Sequence, residues 1–271
     1  MMGIKQWFRR SAVLALVAGG STAVSACGIS TQQEMQMGQE YAAEINRQLP
    51  LVTDAAVVRY VNNLGRSLAQ HGSRQLPYQF YVVNADQVNA FAVPGGHIYV
   101  NRGLIERTRN MSELAGVLAH EIAHVEHRHG ISQMERMQTA NLALTAAYVL
   151  TGRQPTAVDE AIIGVGGQAY FASHSREAEN EADAAAVGLM VRAGIDPTGL
   201  PTFFNVLLDE QRRAPSRVEQ WFSTHPLTQD RVSNTQSMIN QVPAAQRRNL
   251  RQNAADYTSM VNRLRGLARP R

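Results

Sequence analysis

The 271-residue sequence holds one cysteine, Cys27, and no apolar run near the roughly twenty residues that a membrane-spanning helix requires. The two best candidates, residues 11–24 and 139–151, stop at fourteen and thirteen residues. The second reads as a buried or interfacial helix. Internal repeats and low-complexity linkers are also missing, which leaves one domain as the reading of the mature chain. Acid is absent from the first 26 residues, where Lys5, Arg9 and Arg10 stand, and beyond them 23 basic residues face 22 acidic ones. A body that close to neutral gives no electrostatic case for a nucleic-acid partner, in spite of a pI near 9.5. At 44% apolar and 18% charged residues, the composition is that of an ordinary globular protein.

The lone cysteine has a setting. A basic start, the short apolar run 11–24 and the small residues Ser25 and Ala26 describe a secretory signal ending just before it. An unpaired thiol in an exported protein calls for a reason. VSAC, Val24 to Cys27, resembles the bacterial lipoprotein box, in which the cysteine is lipidated and becomes the first mature residue. Gly28 in place of an aspartate implies, by that resemblance, a lipid anchor on the periplasmic side of the outer membrane. The expected division is a signal at 1–26, a flexible tether at 27–36, a main domain at 37–242 and a basic helical tail at 243–271.

Within the main domain, Tyr41, Ile45 and Leu49 recur at helical spacing from Met37 until Pro50. Asp54 caps a second expected helix that ends at Gly72, with Val57, Tyr60, Val61, Leu64 and Leu68 on one face. YQFYVV, Tyr78 to Val83, reads as a strand, and NAFAVPGGHIYVNRGLI, Asn89 to Ile105, as two short strands about Pro94. From Met111 the chain turns helical again, with Ser112 as cap and Gly130 as a possible break. Helical patterns follow over 157–190, interrupted by glycines at 164–167, and over 198–211 and 229–241. The arginines after Pro243 fall at the spacing of a solvated helix. The expected class is α+β: mainly helical, with a small antiparallel sheet.

HEIAHVEHRH, His120 to His129, places four of the eight histidines in ten residues. On a helix, His124 lies about 40° from His120, so the two imidazoles share a face, while His129 points to the opposite side. A pair at this spacing is a standard way to give zinc two ligands, and Glu121, one residue along, stands where it can hold a water beside the ion. Apolar Leu118, Ala119, Ile122 and Ala123 suit a buried helix rather than an exposed histidine-rich face. His127 shares the metal-facing side but sits a turn beyond it, which suits support of a ligand from behind or simple packing rather than ligation. One class of metallopeptidase adds a histidine ten positions after the first and a glycine at the seventh. Here those positions hold Gly130 and His127, which excludes that class. The other class takes a glutamate from a later helix. SREAENEADAAAVG offers Glu179 with Asp183 one turn on, an arrangement in which the aspartate accepts the far N–H of a ligand histidine. Glu179 is therefore the expected third ligand and Asp183 its support. Glu177 and Glu181 read as solvated charges.

Together, HEIAHVEHRH and SREAENEAD resemble the zinc endopeptidase family of HtpX-type and CAAX prenyl endopeptidases. DAAVVRYVNNLGRSLA, the strand segment from Asn89 and STHPLTQDRV, Ser223 to Val232, resemble further pieces of it in the same order. The membrane helices of the HtpX and prenyl branches and a helical-repeat extension are not found, so the nearest match is a stand-alone periplasmic lipoprotein metallopeptidase of the gluzincin kind. The resemblance implies one Zn2+ per chain and proteolysis in envelope quality control, although other divalent ions tolerate the same ligands. It implies that His225 either stabilises the oxyanion or occupies the open zinc position in a latent state, the alternative being a plain loop histidine before Pro226. Arg231 either buttresses the site or forms a surface salt bridge. The strand at Asn89, Ala90 and Phe91 is the expected seat for unfolded or extended protein substrates. A second function class keeps the metal but makes the protein a chaperone-like factor for outer-membrane assembly, with latent protease activity.

Overall fold

Residues 28–139 and 173–269 are described by the computed structural model. The expected signal, Cys27, residues 140–151 of the apolar run and the glycines at 164–167 lie outside the described residues. Helix α1 (Thr31–Gln48) starts six residues before the Met37 that hydrophobic spacing suggested. Its start is set by polar chemistry: Ser30 Oγ accepts from the Gln33 amide (3.2 Å) and Gln33 Oε1 from the Ser30 amide (2.8 Å). Asp54 caps α2 (Ala55–Ala69) as expected, its Oδ1 accepting from the amides of Ala56 and Val57, and Val57, Val61, Leu64 and Leu68 are buried.

The strands are β1 (Gln79–Val83), β2 (Ala90–Val93) and β3 (His97–Asn101), in the order β1-β3-β2. β2 and β3 form an antiparallel hairpin about the Pro94–Gly96 turn, where Gly95 takes φ +75°, a value that favours glycine. β3 then inserts between its predecessors and runs parallel to β1, so the sheet is mixed rather than antiparallel. The alternating side chains of a strand reveal its faces but not which neighbour it pairs with. All five residues of β3 are buried, as suits the central strand.

After the single turn α3 (Arg102–Ile105) comes α4 (Met111–Glu126), in which every residue from Met111 to Val125 is buried. Its cap is Asn110, not Ser112: Asn110 Oδ1 accepts from the Glu113 amide at 3.0 Å. The helix ends before Gly130, because Arg128 takes φ +55° and reverses the chain into α5 (residues 129–139). α6 (Arg176–Arg192) and α7 (Gly199–Arg213) pack against α4. α8 (Pro215–Thr224), which sequence spacing did not reveal, follows, and then α9 (Gln229–Gln241). The tail is not a solvated helix. α10 (Ala255–Gly266) buries Tyr257, Met260, Val261 and Leu264 in the main core and keeps Arg263 and Arg265 outside. The fully buried guanidinium of Arg102 ties down the chain beyond it, donating to the carbonyls of Arg265, Leu267 and Ala268. Among the described residues no helix is long and apolar enough to cross a membrane.

Glycine sets the distance between α4 and α7. A Cβ on Gly199 would lie 2.4 Å from the backbone carbonyl of Ser112, and one on Gly116 would lie 2.9 Å from Leu200 Cα. Gly199→Ala is therefore expected to lower the unfolding free energy by about 1–3 kcal/mol, read as a lower urea midpoint at unchanged slope.

Candidate metal centre

Because α4 is enclosed on all sides, its polar residues must find partners on neighbouring helices. His120 and His124 turn their Nε2 atoms toward each other at 3.0 Å, and both rings are buried. Ser175 caps α6, its Oγ accepting from the Ala178 amide, and so holds Glu179 in the first turn, facing α4. Glu179 Oε1 lies 3.2 Å from His124 Nε2, and Oε2 lies 3.5 Å from His120 Nε2. Four ligands at about 2.0–2.1 Å from a tetrahedral ion stand about 3.3 Å apart. The three donors have that spacing.

His225, the residue that ends α8, completes the group. Its Nδ1 is 3.0 Å from Glu179 Oε1, its Nε2 is 3.5 Å from Glu121 Oε1, and Trp221 packs against its ring at 4.7 Å. His120, His124, Glu179 and His225 thus form a buried group able to hold a metal ion. Glu121 Oε1 is buried without a hydrogen-bond partner, which fits a site built for an additional electrophile. The same order of motifs is matched by the profile of Peptidase family M48 over residues 53–239. The chain belongs to peptidase family M48.

Among its relatives, the beta-barrel assembly-enhancing protease of Escherichia coli K12 is 36% identical over 221 residues. That match covers 79% of this chain and 45% of the relative, so the chain spans somewhat under half that protein's length. Metalloprotease LoiP of the same strain is 25% identical over 81% of this chain and 85% of its own length. The mitochondrial metalloendopeptidase OMA1 of Schizosaccharomyces pombe is 28% identical over 78% and 62%.

His120 and His124 are each held from behind. Asp183 Oδ1 lies 2.9 Å from His120 Nδ1. Arg231 grips Asp183 with two hydrogen bonds, Nε to Oδ2 at 2.6 Å and Nη2 to Oδ1 at 2.9 Å, while Thr235 Oγ1 donates to Oδ2. Arg231 also forms an ion pair with Glu179 and lies over the Phe204 ring at 4.6 Å. It is 4% exposed, so the surface salt bridge considered for it is replaced by a buried one. Behind His124, His129 Nδ1 approaches His124 Nδ1 at 2.8 Å, and His174 stacks on its ring at 4.0 Å. The expectation that His129 points away fails because α4 stops at Glu126 and the chain turns back. His127 is exposed. Glu177 and Glu181 are exposed, as expected of solvated charges, and Glu181 Oε2 also lies 3.1 Å from His129 Nε2. His174 was missed; its place just ahead of SREAENEAD was the only signal.

Asn89, Ala90 and Phe91 are at the start of the edge strand β2, which packs on α4. Asn89 and Ala90 are buried, and Asn89 Oδ1 has no hydrogen-bond partner; Phe91 is half-buried and stacked on Tyr99 at 4.9 Å.

Burial raises the Glu121 carboxyl above its ordinary range, more than His225 and His120 lower it. Burial would also raise Glu179 and Asp183, but the surrounding histidines pull Glu179 well below the usual carboxylate value, and Arg231 does the same, less strongly, for Asp183. Burial pushes His124 well below its ordinary value. Burial opposes the charge on His120 too, yet its bonds to Asp183 and Glu179 outweigh that and lift it to about 9. A cation that takes His120 Nε2 must displace this proton, so raising the pH favours binding. The apparent affinity for Zn2+ is expected to rise about tenfold per pH unit through neutrality and to level off above about pH 9. Competitive titration against a chromogenic chelator at several pH values measures it, and a pH-independent affinity contradicts the assignment.

Proposed function

We propose that this chain is a zinc endopeptidase, with one ion held by His120, His124 and Glu179. The observation that carries the reading is the convergence of three buried donors from two helices at the spacing of tetrahedral zinc, with Glu121 beside them. When bound, zinc would polarise the scissile carbonyl and acidify the attacking water. Glu121 takes the proton of that water and passes it to the leaving amine, a task its raised pKa favours. His225, 3.5 Å from Glu121, donates to the oxyanion as it forms. Asp183, itself fixed by Arg231, keeps the Nδ1 proton of His120 in place so that Nε2 stays free for the ion. Extended segments of substrate add to the edge of β2 near Asn89, Ala90 and Phe91, a mode that reads backbone and so tolerates varied sequence.

The substrates we propose are unfolded or extended proteins of the bacterial envelope, including β-barrels in assembly. The similarity to proteins named beta-barrel assembly-enhancing proteases supports this, as does the lipoprotein-like VSAC ahead of the domain. Lipidation at Cys27 would tether the enzyme to the periplasmic side of the outer membrane, beside the assembly machinery.

One observation favours the second reading, a chaperone-like assembly factor whose protease is latent. His225 Nδ1 belongs to the same donor group as the three ligands and can fill the fourth corner. Glu121→Gln separates the two readings. Casein cleavage is expected to fall by about 10²- to 10⁴-fold, with one zinc per chain retained, and a chelator is expected to stop the wild-type enzyme. Cleavage by the variant at the wild-type rate removes Glu121 as the base. Rescue of envelope assembly by the non-cleaving variant favours the chaperone-like reading.

A further inference from the structure

Behind His124 lies a second set of donors that the proposed reaction does not use. His127, His129 and Glu181 bring their ligand atoms within 4.8 Å of one another. The turn at Arg128 is what assembles them: with φ +55° there, the chain doubles back and carries His129 under the end of α4. The rings of His127 and His129 stack at 5.4 Å, with 15° between their planes. His129 is buried, whereas His127 is exposed and the Glu181 side chain is 60% exposed, so the set opens to solvent on one side. Two imidazoles and a carboxylate are the donors that zinc-like ions prefer, and the open side leaves room for water as a further ligand.

We propose that His127, His129 and Glu181 form a second divalent-cation site, whose occupation competes with the hydrogen bond that aims His124 at the first. The site itself stands on this geometry alone; the competition rests on the reading of His124 as a ligand. The conflict is one of proton placement. With Nε2 of His124 directed at the first ion, its Nδ1 carries the hydrogen. His129 Nδ1, 2.8 Å away, accepts that hydrogen only when bare, and a neutral His129 then has its own hydrogen on Nε2, donated to Glu181 Oε2 at 3.1 Å. A cation on His129 Nε2 requires the other tautomer, with the hydrogen moved to Nδ1. Two N–H groups would then face each other across 2.8 Å, and the bond behind His124 is lost. The partner behind a ligand histidine is worth about 10–100-fold in metal affinity. Linkage makes the effect mutual, so each ion weakens the other by the same factor. The second site would thus restrain the enzyme when free zinc is in excess.

The test uses the full chain carrying one zinc, dialysed against rising free Zn2+, with metal per chain measured. Wild type is expected to take up a second, weaker equivalent. Glu181→Gln and His127→Asn, both at exposed side chains outside the proposed catalytic group, are expected to retain the first equivalent and lose the second. Release of the first zinc to a chromogenic chelator is expected to be about tenfold faster in doubly loaded wild type, with no such acceleration in the variants. Uptake that stops at one zinc in wild type overturns the site, as does a second equivalent that both variants bind as tightly as wild type. A second equivalent that leaves release of the first unchanged overturns the competition. Failure of the first site shows separately, as an unaltered first equivalent in Glu179→Gln.

Discussion

The enclosure of α4 is the constraint from which the site follows. In a helix whose residues are buried from Met111 to Val125, His120, Glu121 and His124 have almost no contact with bulk solvent. A buried charge or polar group without a partner costs several kcal/mol. The polar partners at its level come from three helices: Glu179 and Asp183 from α6, His225 from the end of α8, Arg231 and Thr235 from α9. The apolar surroundings, Phe203, Phe204, Leu118, Ile122 and Trp221, keep water away and so strengthen each of these interactions.

Charge balance explains why the arrangement asks for a cation. With neutral imidazoles, the carboxylates of Glu121, Glu179 and Asp183 face the single guanidinium of Arg231, which leaves two negative charges uncompensated. A proton on His120 or on Glu121 would each reduce that excess, in line with the upward shift of both groups. A divalent ion would cancel it without either. Arg231 serves both states, since its two bonds to Asp183 hold the aspartate in place whether or not His120 is charged. The site is thus a closed set of mutually aimed groups.

Much of the chemistry was legible in the residues because helical spacing is local. His120 and His124 share a face by the pitch of the helix alone, and Glu179 with Asp183 likewise. Asp54 as cap, the strand at Tyr78 to Val83 and the hairpin about Pro94 rest on side-chain chemistry at neighbouring positions. The misreadings have a different origin. The early start of α1 turned on Ser30 and Gln33, polar residues that hydrophobic spacing ignores. α8 falls between the two helical patterns that spacing reveals, and its Pro215 is well suited to a helix's first turn. The tail's arginines stand at the spacing of a solvated helix, but Tyr257, Met260, Val261 and Leu264 form an apolar face that packs into the core.

By itself, then, the sequence determined the local patterns: which residues share a helix face, which donor types recur at metal-binding spacing, and which family those motifs resemble. Only the tertiary structure decided what faces them. The insertion of β3 between β1 and β2, the reversal at Arg128 that brings His129 behind His124, and the burial of Arg231 beside Asp183 all join residues far apart in the chain or across a backbone turn. The reason is physical. Spacing along one helix follows from its pitch, whereas the partner across a packed interface depends on how whole elements dock, which no single segment encodes.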